Sequence, residues 1–195
     1  MKTDIKTNRE KTAAFAAIDI AYIAMSVALI SVCSWLEIPA TVPFTLQTFA
    51  VFLSVALLGG WRGTTAVLVY ILLGAAGAPV FSGFSGGIAK LMGPTGGYIL
   101  GFFFSALLMW CFEALIGRKL AVRALSMVLA LLVCYAFGSL WFVNIYIGKD
   151  GSRMGIGAAL GICVFPYILP DLLKIAAACF ISSNKTLRRT VRSAG

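Results

Sequence analysis

The sequence predicts an all-α integral membrane protein with six transmembrane helices and both termini in the cytoplasm. Of its 195 residues, 61% are hydrophobic and only 12% are charged. The mean hydropathy of +0.97 is far from that of a soluble globular domain. Apolar runs alternate with short polar or Gly/Pro-rich stretches, and nearly all of the 16 basic residues lie at the ends of those runs. This distribution is typical of the flanks of membrane spans.

The predicted organisation is a cytoplasmic polar tail, a membrane domain and a basic cytoplasmic tail, over residues 1–12, 13–182 and 183–195. The first span carries a strip of small side chains at alternating spacings of three and four. Its members are Ala14, Ala17, Ala21, Ala24, Ala28 and Ser31. Such strips let helix backbones approach closely. From the spacing alone, this strip suits packing within the protein and docking of a partner equally well.

The six spans are predicted at residues 13–35, 49–58, 64–78, 98–116, 124–147 and 154–182. Between the first two spans, Pro39 and Pro43 disfavour a continuous helix and predict a structured loop or re-entrant turn. Residues 79–97 form a Gly-rich loop suited to tight turns and close backbone approach. The last element is longer than a bilayer requires, so its outer part is expected to be interfacial or unwound.

The basic residues predict the orientation of these spans. Twelve of them lie in the predicted inner segments and three in the outer loops, while Lys174 lies within the membrane. This bias predicts cytoplasmic termini. It also explains the net charge of +9 without a nucleic-acid partner. The chain contains no histidine, which excludes His-ligated metal sites and His-based catalysis, and we predict no metal and no cofactor.

The last span contains the stretch PYILPDLLK, residues 166–174, in which two charges lie where lipid is expected. A charge at the centre of a membrane helix costs about 2.5–3.5 kcal/mol on insertion scales. Asp171 and Lys174, spaced i, i+3, share one helical face and can partly neutralise each other. Pro166 and Pro170 each remove an N–H from the helix ladder, and broken membrane helices usually line a cavity. The pair therefore predicts a ligand site, with docking against a neighbouring helix as the alternative.

Four motifs together are similar to those of a known family. TVPFTLQT, PVF, GPTGGY and PDLLK occur in this order at residues 41–48, 79–81, 93–98 and 170–174. On these motifs, residues 20–182 resemble the BioY family, the biotin-specific S components of energy-coupling factor (ECF) vitamin transporters. The resemblance implies a six-helix S-component fold with cytoplasmic termini in a prokaryotic plasma membrane.

The resemblance also implies partners. S components bind the vitamin and are the substrate-capturing part of a complex with a transmembrane T component and two cytoplasmic ABC ATPases. The chain has no Walker A motif, which fits that division of labour. The small-residue face of the first helix is then expected to dock on the T component, through Ala24 and Ala28 or, in the alternative register, Ala17 and Ala21.

For biotin, the implied ligand, the sequence offers both polar and apolar contacts. Asp171 can accept ureido N–H bonds, and Lys174 can donate to the ureido oxygen or pair with the carboxylate. Gln47 adds an amide from the first outer loop. Apolar walls are expected from aromatic residues that could also form an interfacial belt, namely Phe44, Phe81, Tyr98 and Tyr167. An Asn expected in the third loop is replaced by candidates of another type, namely Ser82, Ser85 and Thr95.

Three other functions compete with biotin capture at this stage. An S component for another vitamin has the same fold. An intramembrane enzyme could use Asp171 and Lys174 as an acid/base pair, but the chain lacks histidine, paired carboxylates and a recognisable nucleophile motif near them. A purely structural membrane subunit leaves the interior charges unexplained. The sequence therefore favours a transporter subunit that is not itself an enzyme.

Overall fold

A computed structural model describes residues 2–146 and 154–184, with side chains from residue 17 onward. The predicted outer turn at 148–153 and the predicted basic tail from residue 185 on lie outside the described residues. The described helices are α1 Lys2–Trp35, α2 Gln47–Leu58, α3 Gly60–Ala75, α4 Ile88–Met92, α5 Gly96–Ile116, α6 Leu120–Ile145, α7 Ile156–Cys163 and α8 Phe165–Ser183. A two-stranded antiparallel hairpin, β1 Glu37–Ile38 and β2 Phe44–Thr45, follows α1. Helix α1 thus begins within the predicted polar tail.

Four of the described helices are long and apolar enough to cross a membrane: Ala17–Trp35 of α1, and α5, α6 and α8. The second and third predicted spans correspond to α2, with 12 residues, and α3, with 16. At a rise of ~1.5 Å per residue these two helices are shorter than the ~30 Å hydrocarbon core. The described chain is therefore a multi-pass membrane protein, and the count of six spans stays a prediction.

The short helix α2 occupies the centre of the bundle. It packs against α1, α3, α5 and α8, and its residues Ala50, Val51 and Phe52 are fully buried. A 12-residue helix in this position leaves polar residues at its first turn, among them Gln47, inside the protein. The interior at that level is closed by the β1–β2 hairpin.

The predicted irregularity of the last element occurs as a break at Val164. Helix α7 ends at Cys163 and α8 begins at Phe165, while Val164 has non-helical dihedral angles of −125° and −59°. Pro166 lies in the first turn of α8, where its missing N–H costs nothing because that group has no partner within the helix. Pro170 lies inside α8. The break separates α7 from α8 just before the charged stretch, so Asp171 and Lys174 both lie on α8.

Helices α5 and α6 form a close antiparallel pair through small residues. Gly138 of α6 faces the ring of Tyr98, so that a Cβ at this position would overlap the ring. Ser105 donates a hydrogen bond to the carbonyl of Ala130 at 2.7 Å. Small residues at a helix interface allow this approach, in which packing and interhelical hydrogen bonds hold the helices together within the membrane.

The tight contact at Gly138 gives a prediction for stability. Gly138→Ala forces the Tyr98 ring to move and is expected to cost about 1–3 kcal/mol, the usual penalty of overpacking. The matched control is Gly161→Ala in α7, where nothing lies within 4 Å of an added Cβ, so a neutral or slightly stabilising effect is expected. Thermal unfolding of the detergent-solubilised variants measures both, and equal midpoints would contradict the packing described here.

The hairpin and the Gly-rich loop converge on the end of α1. Trp35 donates its indole N–H to the carbonyl of Pro79 at 2.9 Å and stacks on Phe84 with ring centroids 4.9 Å apart. Ser34 donates to the carbonyl of Val80 at 2.5 Å. The β1–β2 hairpin and the Gly-rich loop therefore lie side by side at the same end of the bundle.

The opposite end is held by charged residues near the helix ends. Glu113 accepts hydrogen bonds from Arg118 and from the backbone N–H of Gly60, the latter at 3.2 Å. Asp19 of α1 and Arg62 of α3 form an ion pair of 2.5 Å, with the Asp19 side chain 42% exposed. These two ionic contacts mark the end at which the basic flanks predict the cytoplasm.

Candidate functional site

A cavity lies beneath the hairpin, enclosed by α2, α5, α6, α7 and α8. Its polar lining comes from α2, α6, α8, the hairpin and the Gly-rich loop, and its apolar lining includes aromatic and aliphatic side chains of α5, α6 and the hairpin. The polar lining residues are Thr45, Gln47, Thr48, Ser82, Thr95, Tyr135, Asp171 and Lys174. The cavity also contacts Val42, Phe44, Tyr98, Ile99, Phe102, Leu131, Cys134, Cys163 and Tyr167.

The two intramembrane charges form a buried ion pair within this cavity. The Nζ of Lys174 lies 2.7 Å from the Oδ1 of Asp171, and the two residues are 7% and 4% exposed. Leu169 and Leu173, on the other side of α8, are exposed. Helix α8 therefore presents its charges to the protein interior and its leucines to the lipid, the arrangement expected of membrane charges with a function.

Lys174 also links α8 to the hairpin. Its Nζ donates a second hydrogen bond, of 2.7 Å, to the backbone carbonyl of Thr45, and it lies 4.0 Å from the centroid of the Phe44 ring. Phe44 in turn stacks on Tyr167, whose hydroxyl donates to the carbonyl of Val42. An ammonium group has three N–H donors, so one donor of Lys174 is available to a ligand.

Gln47 lies in a chain of hydrogen bonds at the start of α2. Its amide nitrogen donates to the hydroxyl of Tyr70 at 2.5 Å, and that hydroxyl donates to the carbonyl of Val80 at 3.1 Å. The hydroxyl of Thr45 donates to the Gln47 amide oxygen at 3.2 Å. These contacts orient the amide and leave it one N–H and one acceptor position, since each of its two polar atoms can form two hydrogen bonds.

The structure brings six of the seven predicted ligand-site residues to the cavity and leaves one out. Asp171, Lys174, Gln47, Phe44, Tyr98 and Tyr167 all line it. Phe81 is fully buried against the edge of the Tyr70 ring and is not among the described residues that line the cavity. Its ring fills the space over Gly74, so its place in the fold is that of a core residue supporting the loop.

The three candidate ligand contacts from the third loop also differ in position, since two of them line the cavity and one bonds within its own turn. Ser82 and Thr95 line the cavity, whereas the hydroxyl of Ser85 donates to the carbonyl of Ser82 at 2.6 Å within a tight turn. That turn contains Gly83, with a positive φ of 70°, and Phe84, with a φ of 51°. The hydroxyl-bearing residues Ser82 and Thr95 therefore line the cavity, in the loop where an Asn was expected.

Sequence reasoning missed Tyr135, which donates its hydroxyl hydrogen to the Oδ2 of Asp171 at 2.5 Å. A signal for this residue was present, because Tyr135 lies near the middle of α6. The aromatic belt places tyrosines near the two membrane surfaces. A mid-span tyrosine therefore calls for a polar partner in the interior.

The small-residue strip of α1 lies on the outside of the bundle. Ala17, Ala21, Ala24 and Ala28 are all exposed, and Ala24 and Ala28 line a groove between α1 and α3. Both predicted docking registers are therefore accessible on the described surface.

A carboxylate, an ammonium group and apolar walls within one cavity suit a small ligand with polar ends and an apolar body. The fold and this site define a class of membrane protein, one with a cavity between its helices that is built to bind a small molecule. Over 95% of this chain and 94% of the other, the structure matches the crystal structure of the S component for biotin from an ECF-type ABC transporter, with a TM-score of 0.75 and 24% identity. The chain belongs to the BioY family, whose model matches residues 5–192, and the predicted resemblance is thereby confirmed.

Two curated relatives extend over most of the chain. A probable biotin transporter BioY of Pyrococcus horikoshii is 40% identical over 167 residues, which are 85% of this chain and 94% of the relative. The biotin transporter BioY of Thermotoga maritima is 41% identical over 159 residues, covering 80% and 88% of the two chains. Both are named as transporters, in agreement with the prediction that this chain is not an enzyme.

Proposed function

We propose that this chain is the biotin-binding S component of an ECF-type ABC transporter, which captures biotin from outside the cell and delivers it inward with an ATP-driven partner module. One observation carries the proposal: the buried Asp171–Lys174 pair faces a cavity with apolar walls under the outer hairpin. The names of the curated relatives support the choice of biotin among small ligands with polar ends.

The polar groups of the cavity match those of biotin. A cyclic urea presents two N–H donors and one carbonyl oxygen, and the valeryl chain ends in a carboxylate. Asp171 accepts a ureido N–H in this proposal, because each carboxylate oxygen has an acceptor position left beyond its hydrogen bond within the protein. The remaining donor of Lys174 serves either the ureido oxygen or the carboxylate, and the free N–H of Gln47 serves the other.

The apolar part of biotin needs walls without unsatisfied polar atoms. We assign this role to Phe44, Tyr98 and Tyr167, which line the cavity and whose hydroxyls, where present, have partners in the protein. The hydroxyl of Tyr98 is 3.2 Å from that of Ser139, and that of Tyr167 bonds to Val42. The rings of Tyr98 and Tyr167 can therefore pack against the thiophane ring and the chain.

The hairpin must open for biotin to enter. Lys174 and Tyr167 of α8 hold it at Thr45 and Val42, so these two hydrogen bonds must break when the hairpin opens. In the proposed mechanism biotin enters from outside, the hairpin and the Gly-rich loop close over it, and the S component tilts in the membrane until the cavity faces the cytoplasm.

The remaining parts of the proposal concern the membrane and the partners. We place the chain in the plasma membrane of a prokaryote, with six spans and cytoplasmic termini, as the basic flanks predict. The exposed alanines of α1 would dock on a transmembrane T component, and two ABC ATPases would supply the energy of transport. The groove between α1 and α3 supports this choice of face.

Equilibrium binding of biotin to the purified, detergent-solubilised chain tests the proposal. Vitamin carried through purification is first removed, and we expect saturable binding of about one biotin per chain, as one cavity allows. Excess riboflavin and thiamine are the matched competitors and should leave biotin bound. Saturable binding of riboflavin or thiamine that excess biotin does not displace would instead indicate an S component for another vitamin. Folded protein with no saturable ligand would contradict a capture subunit.

A further inference from the structure

The hydroxyl of Tyr135 is the contact of Asp171 that the predicted site did not include. Tyr135 belongs to α6, is 9% exposed and lines the cavity. It donates to the Oδ2 of Asp171 at 2.5 Å, while Lys174 donates to the Oδ1 at 2.7 Å. The carboxylate is therefore held at both oxygens, by a side chain of its own helix and by one from α6.

This double contact restricts what the carboxylate can do. Rotation about the Cβ–Cγ bond would break both hydrogen bonds, so the plane of the carboxylate is set by Tyr135 and Lys174 together. Each oxygen keeps one further acceptor position. Because the carboxylate is fixed, these free positions point in fixed directions and suit an N–H donor of the ligand at a defined place in the cavity.

The hydroxyl of Tyr135 adds a further acceptor beside those of Asp171. A phenolic O–H has one donor and an acceptor oxygen, and the donor is engaged by Asp171. Tyr135 can therefore offer the cavity only an acceptor. Asp171 and Tyr135 together form an edge made of oxygen acceptors, opposite in character to the ammonium group of Lys174. A ligand carbonyl or carboxylate placed at this edge would face only acceptors and would be rejected.

We propose that Tyr135 is a positioning residue that determines specificity, by orienting Asp171 so that the cavity requires an N–H donor of the ligand at this edge. The inference rests on the proposed function, because it assigns the ureido ring of biotin to the acceptor edge. It goes beyond that function in naming the residue that selects a ligand N–H at this edge and the physical reason for the selection. A tyrosine that merely fills space in α6 would have no influence on which end of the ligand is recognised.

Tyr135→Phe removes the hydroxyl and keeps the ring, and Tyr146→Phe is the matched control. Tyr146 lies just beyond α6, stacks on Phe142 and is not among the described residues lining the cavity. Three ligands are compared: biotin, biotin methylated at both ureido nitrogens, and biotin methyl ester. The first change removes both donors from the ring, and the second removes the charge from the opposite end.

We expect Tyr135→Phe to reduce the preference for biotin over the N-methylated ligand by about tenfold, the usual effect of losing one hydrogen bond to a charged group. The preference for biotin over the methyl ester should not change, and neither preference should change in Tyr146→Phe. Both preferences are ratios measured on the same sample. They therefore remain valid even if Tyr135→Phe lowers the fraction of folded protein.

Several outcomes would overturn the inference. If Tyr135→Phe lowers thermal stability or all affinities equally, with both ratios unchanged, the hydroxyl is structural. A change in the methyl ester ratio alone would place Tyr135 at the carboxylate end. In both cases biotin still binds to the wild-type chain and the proposed function stands. Absence of biotin binding to the folded wild-type chain would overturn the proposed function, and this inference with it.

Discussion

Replacing Asp171 with alanine is expected to weaken biotin binding by at least about 30-fold. Truncating one partner of a buried, hydrogen-bonded charge pair costs about 2–5 kcal/mol in binding, and each ~1.4 kcal/mol is a factor of ten. The substitution removes the acceptors proposed for the ureido ring and leaves Lys174, which is 7% exposed, without its counter-charge. The dissociation constant of biotin, measured on detergent-solubilised protein, gives the result.

An ion pair at the opposite end of the bundle provides the matched control. Asp19 pairs with Arg62 there and is 42% exposed at its side chain. Asp19→Ala therefore removes the same chemical group from a pair that does not line the cavity. We expect its biotin affinity to equal that of the wild-type chain. Equal affinities in Asp171→Ala and wild type would show that the cavity is not the biotin site.

Removing one charge of the buried pair is expected to destabilise the protein more than removing both. A buried ion left without its partner costs about 3–5 kcal/mol, whereas replacing a whole pair with apolar groups of similar volume is often close to neutral. The variants are Asp171→Leu, Lys174→Met and the double substitution. For a chain of this length, each single loss corresponds to a decrease in the unfolding midpoint of roughly 6–20 °C.

The double variant separates stability from function. It should recover at least half of the midpoint lost by the less stable single variant, while its biotin binding remains lost, because both polar contacts of the ligand are gone. Thermal unfolding and equilibrium binding on the same preparations measure the two effects. Additive losses of stability in the double variant would mean that Asp171 and Lys174 do not interact as the 2.7 Å contact indicates. Retained biotin binding would remove the pair from the site.

Features that depend on neighbours along the chain could be predicted from the sequence. The i, i+3 spacing of Asp171 and Lys174 predicted their contact, because residues at this spacing share a helical face in any fold. The hydropathy pattern predicted α1, α5, α6 and α8 as spans, and the structure confirms these four as long enough to cross a membrane. The two prolines predicted a broken last helix, and the break lies at Val164, before Pro166.

Residues brought together from distant parts of the chain were harder to predict. Phe44, Phe81, Tyr98 and Tyr167 have the same aromatic character in the sequence, yet Phe81 packs on Tyr70 in the core while the other three line the cavity. Nothing local distinguishes them, since the difference arises from where the Gly-rich loop folds over α3. Thr45 likewise contributes to the cavity through its backbone carbonyl, a group that every residue has.

By itself the sequence determined that this chain is an apolar, multi-pass membrane protein of the BioY family with a paired charge on its last helix, because composition, helical periodicity and short motifs are local properties. Only the tertiary structure decided what surrounds that pair. Tyr135 meets Asp171 across 36 positions of sequence, and Lys174 meets Thr45 across 129. Those contacts exist because α2, α6, α8 and the hairpin pack around one cavity, and packing between distant segments leaves no periodic signal in a single sequence.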